Sequence, residues 1–321
     1  MTDGLDAPRH EGSHPMSSST HARRRPGRRA AVAAGLLLAI GLGVSGQVTA
    51  QAASAPATTP VRASAAGRSV TGYNGDVVTR IADFYGAYVD AKDDGAGPGS
   101  ALAKALRAHY LTPAFAKRLA AWERTNGVDG VLRGHNTPVE WTVTEGTTGL
   151  DAVVTLTYGG GESPTTTTRL VVEQAAAGGI TGIRVTGAAR AQAPAAARSV
   201  SGRTGDSVTR VADFYGAYVD AEDAPAGPDS ALAKALRAHY LTPACAERLA
   251  AWERTNGVDG VLRARNVPVD WTVTEGARTG EVAVTHAFGG GESPTVTTRL
   301  VVVLEPTSGD VTDIRRAVGA R

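Results

Sequence analysis

The sequence predicts an α+β protein built from two tandem copies of one domain, and three observations predict it. The stretch ALRAHYLTPAFAKRLAAWERTNGVDGVLR at residues 105–133 returns at 235–263 as ALRAHYLTPACAERLAAWERTNGVDGVLR. Each copy opens with apolar residues three and four apart and closes with apolar residues two apart, the periods of helix and then of strand. The length of 321 residues suits about two domains. At a constant offset of 130, residues 68–172 and 198–302 differ at 26 of 105 positions, a likeness close enough that the differences inform more than the shared residues do. A solenoid repeat is about 20 to 50 residues long, so the copies read as whole domains. Their expected bounds are 68–187 and 198–321, with a linker over 188–197.

Each element has its own reason. In GDVVTRIADFYGAYVDA, Val77, Ile81, Phe84, Tyr85 and Tyr88 form one stripe, and Asp76 stands where a first turn needs a cap. The break DDGAGPG leads to a second capping residue, Ser100, and to Leu102, Leu106 and Tyr110 at every fourth position. Thr112-Pro113 then restarts a helix, because proline lacks only an amide hydrogen that the first turn does not use. Phe115, Leu119 and Trp122 share a face of this third helix, and Asn126-Gly127 supplies the left-handed residue that ends it. From VEWTVTEG onward the period is two: Val139, Trp141 and Val143 alternate with polar residues, as do Ala152, Val154, Leu156 and Tyr158 in DAVVTLTY. GGGESP turns into TTTTRLVVEQ, and AAAGG precedes ITGIRVT. Each copy is thus expected to hold about three N-terminal helices on an antiparallel sheet of about four strands, the Thr-rich face outward.

The first fifty residues read as an address. RRRPGRR precedes an uncharged run from Ala30 to Val48 and then Ala50-Gln51-Ala52, the pattern of a signal peptide cleaved after residue 52, with Met16 an alternative start. The run of 19 uncharged residues also approaches bilayer thickness, so membrane contact is expected only if the leader stays uncleaved; Gly35, Gly41, Gly43 and Gly46 argue against an anchor. Residues 53–67 read as a disordered tether. Beyond the leader, 27 basic residues face 28 acidic ones, which leaves no field for a nucleic-acid backbone. With one cysteine, Cys245, no intrachain disulfide can form.

The FYGAY of the first helix, the YLTP junction, the DGVLR segment leading to Asn136 and the closing ITGIR together resemble the nuclear-transport-factor-2-like, or cystatin-like, α+β cone, and more narrowly an exported bacterial group within it. The resemblance covers about 115 residues of each copy and rests on turns and core positions. It implies two tandem cone-shaped domains, each with a pocket between helices and concave sheet. The superfamily includes isomerases, cyclases and dehydratases as well as binding modules, so the fold alone assigns no reaction.

On that reading the pocket-lining candidates are Tyr85, Tyr88, His109, Trp122 and Trp141 in copy one, and Tyr215, Tyr218, His239, Trp252 and Trp271 in copy two; aromatics at such spacing more often form plain core. The Tyr and carboxylic acid that the superfamily's isomerases project into the cone have no matched positions here. Arg80 with Asp83 and Arg133 with Asp129 read as exposed ion pairs, and Asp90 as a further carboxylate. Copy two replaces Phe115 by Cys245, Leu156 by His286 and Tyr158 by Phe288, which makes Cys245 and His286 the candidate catalytic pair, a nucleophile if they touch. The charge reversals Lys92 to Glu222 and Lys117 to Glu247 read as solvated faces. No metal-ligand spacing occurs, and GGGESP lies between strands rather than before a helix, so neither metal nor cofactor is expected. The leading functional expectation is a secreted, non-catalytic binding protein, a monomer with an internal pseudo-dimer, whose partner is a protein or a small molecule. The alternatives are a small-molecule enzyme or carrier, and a membrane-tethered envelope spacer.

Overall fold

In a computed structural model, residues 68–94, 99–160, 163–187, 197–290 and 293–317 are described; the leader, the tether and residues 188–196 of the linker lie outside them. The order in copy one is β1 (Ser69–Tyr73), α1 (Val77–Asp93), α2 (Ala101–Tyr110), α3 (Pro113–Asn126), β2 (Glu140–Glu145), β3 (Asp151–Gly160), β4 (Ser163–Gln174) and β5 (Ile180–Val185). Copy two repeats it as β6 (Ser199–Arg203), α4 (Ser207–Asp223), a short 3-10 turn (Gly227–Asp229), α5 (Ala231–Tyr240), α6 (Pro243–Asn256), β7 (Asp270–Glu275), β8 (Glu281–Gly290), β9 (Ser293–Leu304) and β10 (Val311–Arg316). The fold is α+β, with six α-helices and two five-stranded antiparallel sheets among the described residues.

The caps form as the sequence implies, with one exception. Asp76 accepts from the Thr79 amide at 3.0 Å and Ser100 from the Ala103 amide at 3.0 Å, while Gly127 closes α3 at φ 69. Thr112 holds the N-cap position of α3 without a side-chain cap, its hydroxyl donating to the Ile180 carbonyl at 3.2 Å, whereas its duplicate Thr242 both donates to the Val311 carbonyl and accepts from the Cys245 amide.

The sheets correct the expectation of two self-contained four-stranded cones. One sheet runs β1-β7-β8-β9-β10 and the other β5-β4-β3-β2-β6, so each copy's first strand lies in the other copy's sheet. Val70 pairs with Val273 and Gly72 with Trp271; in the mirror contact Val200 pairs with Val143 and Gly202 with Trp141. The glycines are a packing requirement. A Cβ on Gly72 would stand 2.3 Å from the Trp271 ring, and one on Gly202 would stand 2.5 Å from the Trp141 ring. Arg68 adds an ion pair to Asp206, the cap of α4, at 2.7 Å, and Arg198 pairs with Asp76, the cap of α1.

Exchange brings the first helices together. Thirteen of the seventeen residues of α1 are buried, because one face meets its own sheet and the other meets α4; α2 packs on α5 in the same way. The polar face that reads as solvated in sequence is therefore the seam between the copies. A Cβ on Gly86 would lie 2.1 Å from the Asp213 carboxylate oxygen, and one on Gly216 2.0 Å from that of Asp83, so only glycine lets the helices approach this closely.

Candidate functional site

Most of the aromatics expected to line a pocket fill the space between helices and sheet. Tyr85, Tyr88, Tyr215 and Tyr218 are fully buried, and Trp141 and Trp271 nearly so. Their polar ends are taken up internally: Tyr85 donates to the Val131 carbonyl and Tyr215 to the Val261 carbonyl, each at 3.3 Å. Tyr88 donates to Asp129 at 2.8 Å and Tyr218 to Asp259 at 2.7 Å. These aromatics are core.

Trp122 and Trp252 depart from the expected stripe in the opposite direction. Each is only partly buried, beneath a guanidinium: Arg133 lies 4.0 Å from the Trp122 ring centre and Arg263 4.0 Å from that of Trp252. Arg133 also donates to the Ile183 carbonyl rather than pairing with Asp129, so DGVLR clamps α3 to the last strand of its sheet. Both arginines take left-handed backbone, φ 55 and 54, an uncommon conformation for a residue with a Cβ and shared by the two copies.

The seam holds four buried carboxyls, Asp83, Asp90, Asp213 and Asp220, which the sequence offers as surface groups. Asp220 accepts from Tyr110 at 2.6 Å and pairs with Arg80 at 3.2 Å, both from copy one; Asp90 accepts from Tyr240 at 2.8 Å and lies 3.8 Å from Arg210, both from copy two. Burial raises Asp90 and Asp220 to about 6 against the opposing pull of those arginines. Asp83 and Asp213 are held well above the usual carboxylate range, first by burial and then by the neighbouring carboxylates, which favours their neutral form at the seam. His109 meets Arg80 at 3.4 Å, and burial with that cation lowers it to about 4. His239 Nε2 lies 3.0 Å from Asp94 but out of line for a hydrogen bond. A glycine in the middle of an otherwise good helix is the one sequence signal of this seam, since it costs about 1 kcal/mol relative to alanine unless something must come close.

Cys245 and His286 are both fully buried but do not form a pair. Both ring nitrogens of His286 lack any hydrogen-bond partner among the described residues, the Cys245 sulfur included. The imidazole packs 5.2 Å from the Tyr215 ring and 6.1 Å from Phe288, and burial lowers it to about 4. Burial raises the Cys245 thiol, the reverse of what an activated nucleophile needs.

An open recess of about 670 Å³ lies on copy two. The C-terminal end of α4 contributes Glu222, α5 contributes Arg237, α6 contributes Glu253, and the following loop contributes Asp259, Leu262, Ala264 and Val267. Arg237 bridges Glu253 at 2.6 Å and Asp259 at 2.6 Å. Glu222 is pushed up to about 7, first by burial and then by the Asp259 charge, and its Oε1 accepts no hydrogen bond. Sequence reasoning misplaces this position: Glu222 is half-buried and Lys92 is nearly buried, whereas Lys117 and Glu247 are exposed as expected. Of the 26 differences between the copies, five fall on the recess, at Glu222, Asp229, Ala264, Arg265 and Val267.

Among the described residues, no group of three or more His, Cys, Asp or Glu is placed to hold a metal ion, and no helix is long and apolar enough to cross a membrane. Compared with family models, curated proteins and solved structures, the chain matches none of them.

Proposed function

We propose that the chain is an exported, non-catalytic binding protein whose two copies act as an internal pseudo-dimer, with the recess of copy two as its ligand-binding face. The observation that carries this reading is the contrast between filled cones and an open, charged recess. Side chains that would line a catalytic cavity spend their hydroxyls on the protein itself. Five of the 26 diverged positions line a concave surface on copy two. Export follows from the leader pattern, and the likeness to the nuclear-transport-factor-2-like cone remains part of the proposal.

Amide chemical shifts of the full chain, followed as fractionated small molecules from its host are added, test the reading. Perturbation confined to residues 222–237 and 253–267 is expected. Perturbation centred on Tyr85, Tyr215 and their strands would instead favour the enzyme or carrier alternative.

A further inference from the structure

We propose that the recess of copy two binds a primary alkylammonium group, the ligand that copy one supplies to itself as Lys92. The inference rests on the binding reading above and deepens it by naming the chemistry of the ligand. In copy one the Lys92 side chain is only 8% exposed; its Nζ donates to the Gly134 carbonyl at 3.4 Å and lies 3.7 Å from Asp129. Together with Arg107, bound to Glu123 at 2.6 Å and 3.6 Å from Asp129, it gives two cations for two carboxylates.

Copy two keeps Glu253, Asp259 and Arg237 but carries Glu222 where copy one has Lys92, so three carboxylates share one guanidinium. Arg237 is drawn to 2.6 Å from Asp259, against 3.6 Å for the matching pair in copy one, and among the described residues Glu222 has no ion pair and its Oε1 accepts no hydrogen bond. The other cations of the recess stand at its rim: Lys234 is paired with Asp229 at 3.3 Å with both side chains exposed, and Arg265 is exposed. The recess therefore lacks the cation that its duplicate contains.

The shape selects among cations. An ammonium offers three donors, and the recess offers Glu222, Asp259 and the Ala264 carbonyl, the last two matching the groups that face Lys92. A quaternary ammonium needs open aromatic faces, but the Tyr218 ring is already covered by Arg237 at 5.4 Å. Pro228, Val258, Leu262 and Val267 supply an apolar wall for an alkyl stem. The ammonium of a free amine and that of a lysine side chain share this chemistry.

The test titrates the full chain with n-butylammonium, with Nα-acetyl-lysine methylamide and with its uncharged isostere Nα-acetyl-norleucine methylamide, read by amide chemical shifts. Both amines are expected to move residues 222–237 and 253–267 with Kd on the order of 1 mM, while the isostere moves none; a response to the lysine amide alone supports the proposal and assigns the source as a polypeptide side chain. Glu222→Lys should weaken binding at least tenfold while raising the unfolding midpoint, which separates self-occupation from misfolding. Lys92→Glu should add a second site, now on copy one. Equal binding by wild type and Glu222→Lys, equal binding of the isostere, or no response of the recess to either amine overturns the ammonium assignment. In that last case, extract-induced shifts at the same amides would show that the recess binds something else, so the two readings fail separately.

Discussion

The seam between the copies and the recess on copy two are built from the same duplicated helices, yet they have diverged to different degrees. At the centre of the seam the interacting groups are retained: Arg80 and Arg210, Asp83 and Asp213, Gly86 and Gly216, Asp90 and Asp220, Tyr110 and Tyr240; at its edge Asp94, which faces Arg210 and His239, has Ala224 as its counterpart. At the recess five positions differ. The seam tolerates little because Asp90 and Asp220 depend on the opposite copy. Asp220 has its tyrosine and arginine in copy one, and Asp90 has its own in copy two. A buried charge stripped of such partners is costly. The recess faces solvent, and a change there alters what fits without unbalancing the core.

The largest expected effect comes from removing one side of the seam. Residues 198–317 made alone leave β6 without the strand it pairs with and Asp220 without Arg80 and Tyr110. Two such chains satisfy each other by reciprocal exchange, so light scattering should give twice the chain mass, and a folded monomer would break the comparison. Within the intact chain, Gly86→Val drives a side chain into the Asp213 carboxylate. It should cost about 3 kcal/mol in denaturant unfolding, whereas the same change at exposed Gly187 should cost little.

The second effect is a gain. His286→Leu restores the residue of copy one and removes two unsatisfied buried nitrogens, which should stabilise the protein by about 1–3 kcal/mol at pH 7. The folded-state pKa of His286 lies below the usual value of 6.5, at about 4, so the unfolded chain binds the proton more readily. Its contribution is intact above pH 6.5 and is lost as pH falls toward 4, by about 3 kcal/mol in all. The advantage of the leucine variant should therefore widen across that window. The buried carboxyls titrate in the same range with the opposite sign, and the difference between variant and wild type cancels them. A pH-independent difference would show that the imidazole is reached by water.

A third, smaller effect concerns Trp122. Core truncation of a tryptophan costs about 3–5 kcal/mol, but this ring is part-exposed under Arg133. Trp122→Ala should cost about 1–2 kcal/mol, and a value in the core range would place the ring in the interior after all.

What the sequence shows and hides follows the same division. The helices and strands β2 to β5 are readable because their apolar residues follow a period of 3.6 or 2 over six residues or more. Strand β1 is not: SVTGY has one apolar branched residue and a glycine, and its partner lies about 200 positions away in the other copy. Asp83 and Asp90 look solvated for the same reason, since a helix face buried against a duplicate of itself has the pattern of one facing water. Glu222 is flagged by comparing the copies, because Lys92 is its counterpart. Its environment is not, since burial of that position depends on how α4, α5 and α6 converge.

The smallest expected effect is none at all, and it bears on whether the diverged core of copy two is chemically active. Cys245 and His286 arrive together in one copy, as a nucleophile and its base would. Their surroundings argue otherwise. Cys245 sits at the first turn of α6 where copy one has Phe115, its amide bonded to Thr242 at 3.3 Å, and its thiol is raised by burial rather than lowered by a cation. His286, itself lowered by burial, is neutral at pH 7 and makes no hydrogen bond to the sulfur, so it offers no proton transfer. Iodoacetamide should label the folded protein only as fast as the core opens, and His286→Ala should not slow it; a small acceleration is acceptable because that variant loosens the core. Fast labelling at neutral pH that His286→Ala abolishes would make the pair functional and move the active region of copy two from its recess into its core.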